Sequence, residues 1–116
     1  MNWELCNKYM WVNGMNSDMN FEFYKSGIVD NGVFFILKHY NKSYGVKGYS
    51  VWYQDASHVQ QGGANFALKI KTCKSFDDGK AVAEKFYTAF KSGKQPKTLG
   101  TQYITFDTYL NGPFCE

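Results

Sequence analysis

The sequence predicts an α+β domain: an antiparallel β-sheet of four to six strands, mainly in hairpin order, with one long amphipathic helix over about residues 76–92 packed on one face. Three observations predict it. Short runs between residues 19 and 110 alternate apolar and polar side chains with a period of two. Asparagine and glycine punctuate those runs where hairpins must turn. One stretch, beginning at Phe76, changes to the period of 3.6 that gives a helix an apolar stripe.

The elements follow in order. Trp3, Leu5, Tyr9 and Trp11 fit an extended segment, although Trp3, Cys6 and Met10 fit a helix almost as well. Asn13-Gly14 and Asn16-Ser17-Asp18 read as a turn or loop. Met19, Phe21 and Phe23 alternate with Asn20, Glu22 and Tyr24, as a half-buried strand requires. Lys25-Ser26-Gly27 marks a bulge or a break. In Asp30-Asn31-Gly32, the Asn-Gly pair supplies the positive φ angles of a type I′ turn. Val33-Phe34-Phe35-Ile36-Leu37 is apolar on both faces and reads as a central strand. A polar connection, Asn41 to Gly48, leads to a second two-faced strand, Tyr49 to Tyr53. After a loop from Asp55 to Ala64, Phe66, Leu68 and Ile70 alternate with Ala67, Lys69 and Lys71.

Ser75 opens the helix as an N-cap, with Asp77 and Asp78 at the positive end of the dipole. Phe76, Gly79, Val82, Ala83, Phe86, Tyr87, Ala89 and Phe90 share one face, and Lys80, Glu84, Lys85, Thr88 and Lys91 lie opposite. Gly93 stops the helix and Pro96 prevents its resumption. A last strand spans Gln102 to Leu110. One helix covers one sheet face, so the second face needs the N-terminal segment, a second copy or a partner to cover it.

Composition narrows the function. The chain has 116 residues, which suits a single compact domain over 1–116, with no apolar run long enough to span a membrane and no signal-like start. All 13 basic residues are lysine, and the absence of arginine argues against bidentate recognition of guanine or phosphate. Three cysteines, Cys6, Cys73 and Cys115, lack metal-binding spacing and cannot all pair within one chain, which suits a reducing, cytoplasmic setting. No metal or cofactor motif is present. Asp55-Ala56-Ser57-His58 contains triad residue types, but a working triad draws its members from separate elements. An acid–base pair of His39 and His58 in a metal-free hydrolase or ribonuclease is the weakest of three readings.

The leading reading is a non-enzymatic protein-binding module. Ten Phe, nine Tyr and three Trp exceed what a core of this size holds, which leaves tyrosine and tryptophan for a contact surface. The expected contact residues are Tyr44, Tyr49, Trp52 and Tyr53, supplemented by Lys69 and Lys71. In size and Asn/Lys/Tyr-rich character the chain is similar to accessory proteins of phages and mobile elements, some of which inhibit bacterial defence nucleases as anti-CRISPR proteins do. That similarity matches no motif and transfers no residues. Its net charge of +3 argues against mimicry of DNA, which takes a dense acidic surface.

The expected partner is a host protein or ribonucleoprotein complex, with a homodimer through the second sheet face as another route and no membrane contact. Residues 69–97 hold eight lysines and three acids, so nonspecific single-stranded nucleic-acid binding is the alternative. On the leading reading, Trp52→Ala weakens partner binding and leaves the fold intact.

Overall fold

The computed structural model describes residues 1–12, 15–27, 29–30, 32–41, 45–58 and 66–103. Six strands form one antiparallel sheet in sequential order: β1 (Trp3–Val12), β2 (Met15–Ser26), β3 (Gly32–Asn41), β4 (Gly45–Asp55), β5 (Phe66–Cys73) and β6 (Thr101–Tyr103). The helix α1 (Phe76–Lys91) connects β5 to β6, and a single 3-10 turn, Ala56–His58, follows β4. Among the described residues no helix is long and apolar enough to cross a membrane.

The architecture is the α+β one expected, but α1 is a short helix of 16 residues rather than a long one. Its start follows the sequence signals closely. Ser75 is extended at φ −142°, and its hydroxyl accepts the Asp78 N–H at 3.1 Å, which satisfies one of the open donors of the first turn. The chain leaves the helix through Gly93 at φ +81°, a conformation that costs glycine little.

Strand boundaries differ from expectation where pairing extends order past a local turn signal. Asn16, Ser17 and Asp18 belong to β2, with Asn16 paired to Trp11, so they are strand and not loop. The expected connection from Asn41 to Gly48 is mostly strand, since Asn41 pairs with Gly45 and Tyr40 with Val46. The Asn13-Gly14 turn, Tyr44, most of the loop after His58 and the stretch from Ile104 onward lie outside the described residues.

The hairpin before β3 also shifts by one residue. Val29 and Gly32 exchange backbone hydrogen bonds of 2.7 and 3.0 Å, so Asp30 and Asn31 lie between them. Asp30 takes the positive φ, +48°. Gly32 therefore serves a different purpose from the one expected: the ring of Tyr53 lies directly over it, where a Cβ would collide. On the other side of this turn β2 ends at Ser26, whose hydroxyl accepts the Phe34 N–H at 2.8 Å and donates to the Gly27 carbonyl at 2.9 Å. The Lys25-Ser26-Gly27 signal is thus a strand end, with a side chain taking over the last ladder position.

Alternation along β3 sends Phe34 and Ile36 to one face and Val33, Phe35 and Leu37 to the other, and all five are buried. The first face packs under α1. There Phe34, Ile36, Val51, Tyr53 and Ile70 meet Ala83 and Phe86. The ring of Phe34 lies 5.0 Å from Tyr53 and 5.9 Å from Phe86. Gly79 and Ala83 keep the helix surface flat, and a Cβ on Gly79 would stand 3.1 Å from Ile36 Cδ1. Phe76 stacks on Tyr24 at 3.8 Å and meets the edge of Trp3 at 6.1 Å, which ties β1 and β2 to the first turn of α1.

The second face is also buried within a single copy of the chain. Phe23 and Val33 are fully buried, Phe35 is 1% exposed and Trp52 6% exposed. Fully burying each such side chain contributes about 1.5–3 kcal/mol. A homodimer through this face is not needed to cover it.

Gly32→Ala should destabilise the fold by about 1–3 kcal/mol, because the methyl group must displace the Tyr53 ring from a packed core. Equilibrium urea unfolding measures this, and an unchanged midpoint would show that the ring moves freely.

Candidate functional site

The six expected contact residues take very different positions. Trp52 and Tyr53 are both 6% exposed, so neither presents its ring to a partner. This corrects the expectation of a displayed aromatic patch. The two residues are consecutive on β4, and alternation turns Tyr53 toward α1 and Trp52 toward the second face. Tyr49 is half-buried against the helix-side core, on the same face as Tyr53. Tyr44 lies outside the described residues.

The surroundings of Trp52 explain its burial. Its indole Nε1–H donates to the Ser50 hydroxyl at 2.7 Å, so the polar edge is satisfied inside the face. The Lys69 ammonium sits 5.5 Å from the ring centroid, within cation–π range. Gln54, fully buried on the same face, donates from Nε2 to the Phe66 carbonyl at 2.9 Å. Trp52 and Lys69 thus meet as a packed contact within the sheet.

Lys69 and Lys71 are separated by a register shift. Plain alternation would put residues two apart on one face, yet the β4–β5 register shifts between Val51 and Trp52. Trp52 pairs with Lys69 and Val51 with Lys71, which leaves Ile70 as the extra residue of a bulge, its side chain in the helix-side core. Lys71 is exposed, whereas Lys69 is half-buried over Trp52.

Asp55, Ser57 and His58 form a closed local turn. The Ser57 N–H donates to Asp55 Oδ1 at 2.8 Å, and the Ser57 hydroxyl donates to the same oxygen. His58 Nδ1 accepts the Asp55 N–H at 3.1 Å and lies 3.2 Å from Asp55 Oδ1. The serine hydroxyl thus faces the aspartate and not the imidazole, which is the bonding of a side-chain-capped turn. The side chain of His39 lies outside the described residues. Cys73 is a free thiol, and burial, then the nearby Asp78 charge, pushes its pKa up, away from nucleophilic reactivity.

A cleft of about 250 Å³ opens between the start of β1 and the end of β2, lined by Asn2, Trp3, Glu4, Lys25, Ser26 and Gly27. Burial lowers the Lys25 pKa, and the charge of Glu4 opposes that shift. The volume falls short of the ~300–1,000 Å³ of small-molecule sites.

Several lysines point outward. Lys71, Lys74, Lys85, Lys94 and Lys97 are exposed, and none has an ion-pair partner among the described residues. Two neighbouring acids are engaged elsewhere, Asp77 with Lys80 at 3.1 Å and Glu84 with the Met1 amino group at 3.1 Å, while Asp78 is exposed. Lys91 lies 3.8 Å from Asp30, which also accepts the Tyr87 hydroxyl at 2.9 Å. These lysines come from β5, α1 and the segments that flank it. Sequence reasoning had this signal in the +5 balance of residues 69–97, but ranked it below the aromatics.

Two outcomes follow from the buried aromatics. Trp52→Ala should cost about 3–5 kcal/mol of stability, as large-to-small changes in a packed core do. A thermal or urea midpoint equal to that of the parent would return Trp52 to the surface. Burial, then the charges of Asp55 and Asp30, raises the Tyr53 pKa above its ordinary 10.0. The stability tied to the neutral phenol is fully present below pH 10 and is lost as pH rises through the folded-state value. Tyr53→Phe should therefore move alkaline unfolding, followed by circular dichroism, to higher pH.

No protein-family model, curated protein or solved structure matches this chain, and the reading of its surface rests on the residues themselves.

Proposed function

We propose that this chain is a non-enzymatic protein-binding module, of the kind with which phages and mobile elements inhibit a host nucleic-acid-handling or defence complex, acting in the cytoplasm. One observation carries the reading: five lysines on β5, α1 and the flanking segments are exposed and have no ion-pair partner among the described residues, while Trp52 and Tyr53 are packed inside. Unpaired surface lysines attract an acidic partner and accelerate its encounter. The same sign excludes mimicry of DNA. The partner is a host protein or a ribonucleoprotein that presents acidic protein surface.

The lysines also favour the second reading, a nonspecific binder of single-stranded nucleic acid. Such proteins pair a basic groove with open aromatic faces on which bases stack. Trp52 and Tyr53 have no such face free, which removes the two aromatics expected to serve it.

The test is capture from a bacterial lysate by the tagged chain, with and without nuclease, alongside a Lys85→Glu, Lys94→Glu, Lys97→Glu variant. The expected result is a stoichiometric protein that survives nuclease and is reduced roughly tenfold or more with the variant. Recovery of nucleic acid alone, lost on nuclease treatment and falling steeply with salt, would favour the second reading.

A further inference from the structure

Two large apolar side chains are exposed close to the lysine-bearing segment that follows α1. Phe90, in the last turn of α1, is 50% exposed, and Leu99 is 55% exposed. The sheet places them around the same strands. The Phe90 ring lies 6.1 Å from that of Tyr53, and Tyr53 is paired across the sheet with Leu68. Leu99 joins the next residue of β5, its N–H donating to the Lys69 carbonyl at 2.8 Å. The Lys69 N–H donates in turn to the Gly100 carbonyl at 3.0 Å. That two-to-one pairing is possible because Gly100 adopts φ +84°.

Along the chain the charge that follows Glu84 has one sign, and the acid nearest the end of α1, Asp30, lies 3.8 Å from Lys91. No acid occurs between Glu84 and Asp107, a stretch that carries Lys85, Lys91, Lys94 and Lys97. Lys94 and Lys97 are exposed and unpaired among the described residues. The negative end of the helix dipole does not offset them openly. Its carbonyls are taken by local donors, Ser92 N–H to Thr88, Gly93 N–H to Phe90 and Lys94 N–H to Ala89.

We infer that Phe90 and Leu99, with Lys94 and Lys97, form a docking site for an acidic protein segment carrying apolar side chains. The inference rests on the protein-binding reading above and gives the partner its chemistry. Complementary charge selects an acidic occupant and excludes a second copy, whose identical lysines would repel. An aliphatic Leu99 offers no stacking surface for a base. One face of the Phe90 ring is already occupied, stacked on Phe86 at 6.3 Å and 12°. Both features favour a peptide over a nucleic acid.

The experiment titrates the isotope-labelled full chain, followed by NMR, with three probes: a glutamate-rich peptide bearing two leucines, oligo(dT), and phosphatidylserine vesicles. The expected result is peptide binding with shifts centred on residues 90–99, weakened at least tenfold by Lys94→Glu with Lys97→Glu and again by Leu99→Ser. The charge variants change only exposed positions, so a lost signal in them reports binding and not unfolding. Tighter binding of oligo(dT) or vesicles at these residues, shifts centred elsewhere, or no peptide binding would each overturn the inference. A protein captured from lysate whose binding is unchanged in Leu99→Ser would overturn the docking site and leave the protein-binding reading standing.

Discussion

Strand β3 is apolar on both faces, and burying both of them is the constraint on which the rest of the structure depends. Val33 through Leu37 leaves no polar side for water, so the strand must be central and two layers must close over it. On one side the layer is α1. A helix of 16 residues reaches the sheet closely because its inward positions include Gly79 and Ala83, while Phe86 fills the gap toward Phe34 and Tyr53. The same demand for close approach explains Gly32, which makes room for the Tyr53 ring. Small residues here are shaped by large neighbours.

On the other side, the buried face holds polar groups that are largely bonded. Ser50 meets the Trp52 indole, and Gln54 reaches the Phe66 carbonyl. Gln54 Oε1 is the one buried side-chain oxygen among the described residues without a hydrogen-bond partner. Lys69 lays its ammonium over Trp52 and keeps the aliphatic stem against the sheet. Aromatic residues are thus drawn inward on both faces, and lysines are left to define the outside. That division takes the rings of Trp52 and Tyr53 out of reach of a partner, and the proposed recognition surface rests on lysines instead.

The length of α1 has a related consequence. A short helix exposes its last turn, where Phe90 projects beyond the core it caps, and the returning segment brings Leu99 alongside β5. The connection from helix to β6 therefore does more than close the topology. It ties the segment that carries Lys94, Lys97 and Leu99 to α1 and β5 by backbone hydrogen bonds.

Local signals in the sequence were enough for the class of fold and for the helix. Alternation, the two-faced run at Val33–Leu37, the Ser75 cap and the Gly93 stop each act within a few residues, and each is read directly from neighbours in the chain. Positions that depend on cross-strand pairing were not legible in that way. Asn16–Asp18 look like a turn alone and become strand against Trp11 and its neighbours. Lys69 and Lys71 look like one face until the bulge opposite Val51 and Trp52 separates them. Trp52 and Tyr53 look like surplus aromatics until two layers bury them. By itself the sequence determined which segments become strands and helix, because those preferences are local. Tertiary structure alone decided which aromatics stay accessible and which lysines stand together, because register and layering join residues far apart in the chain.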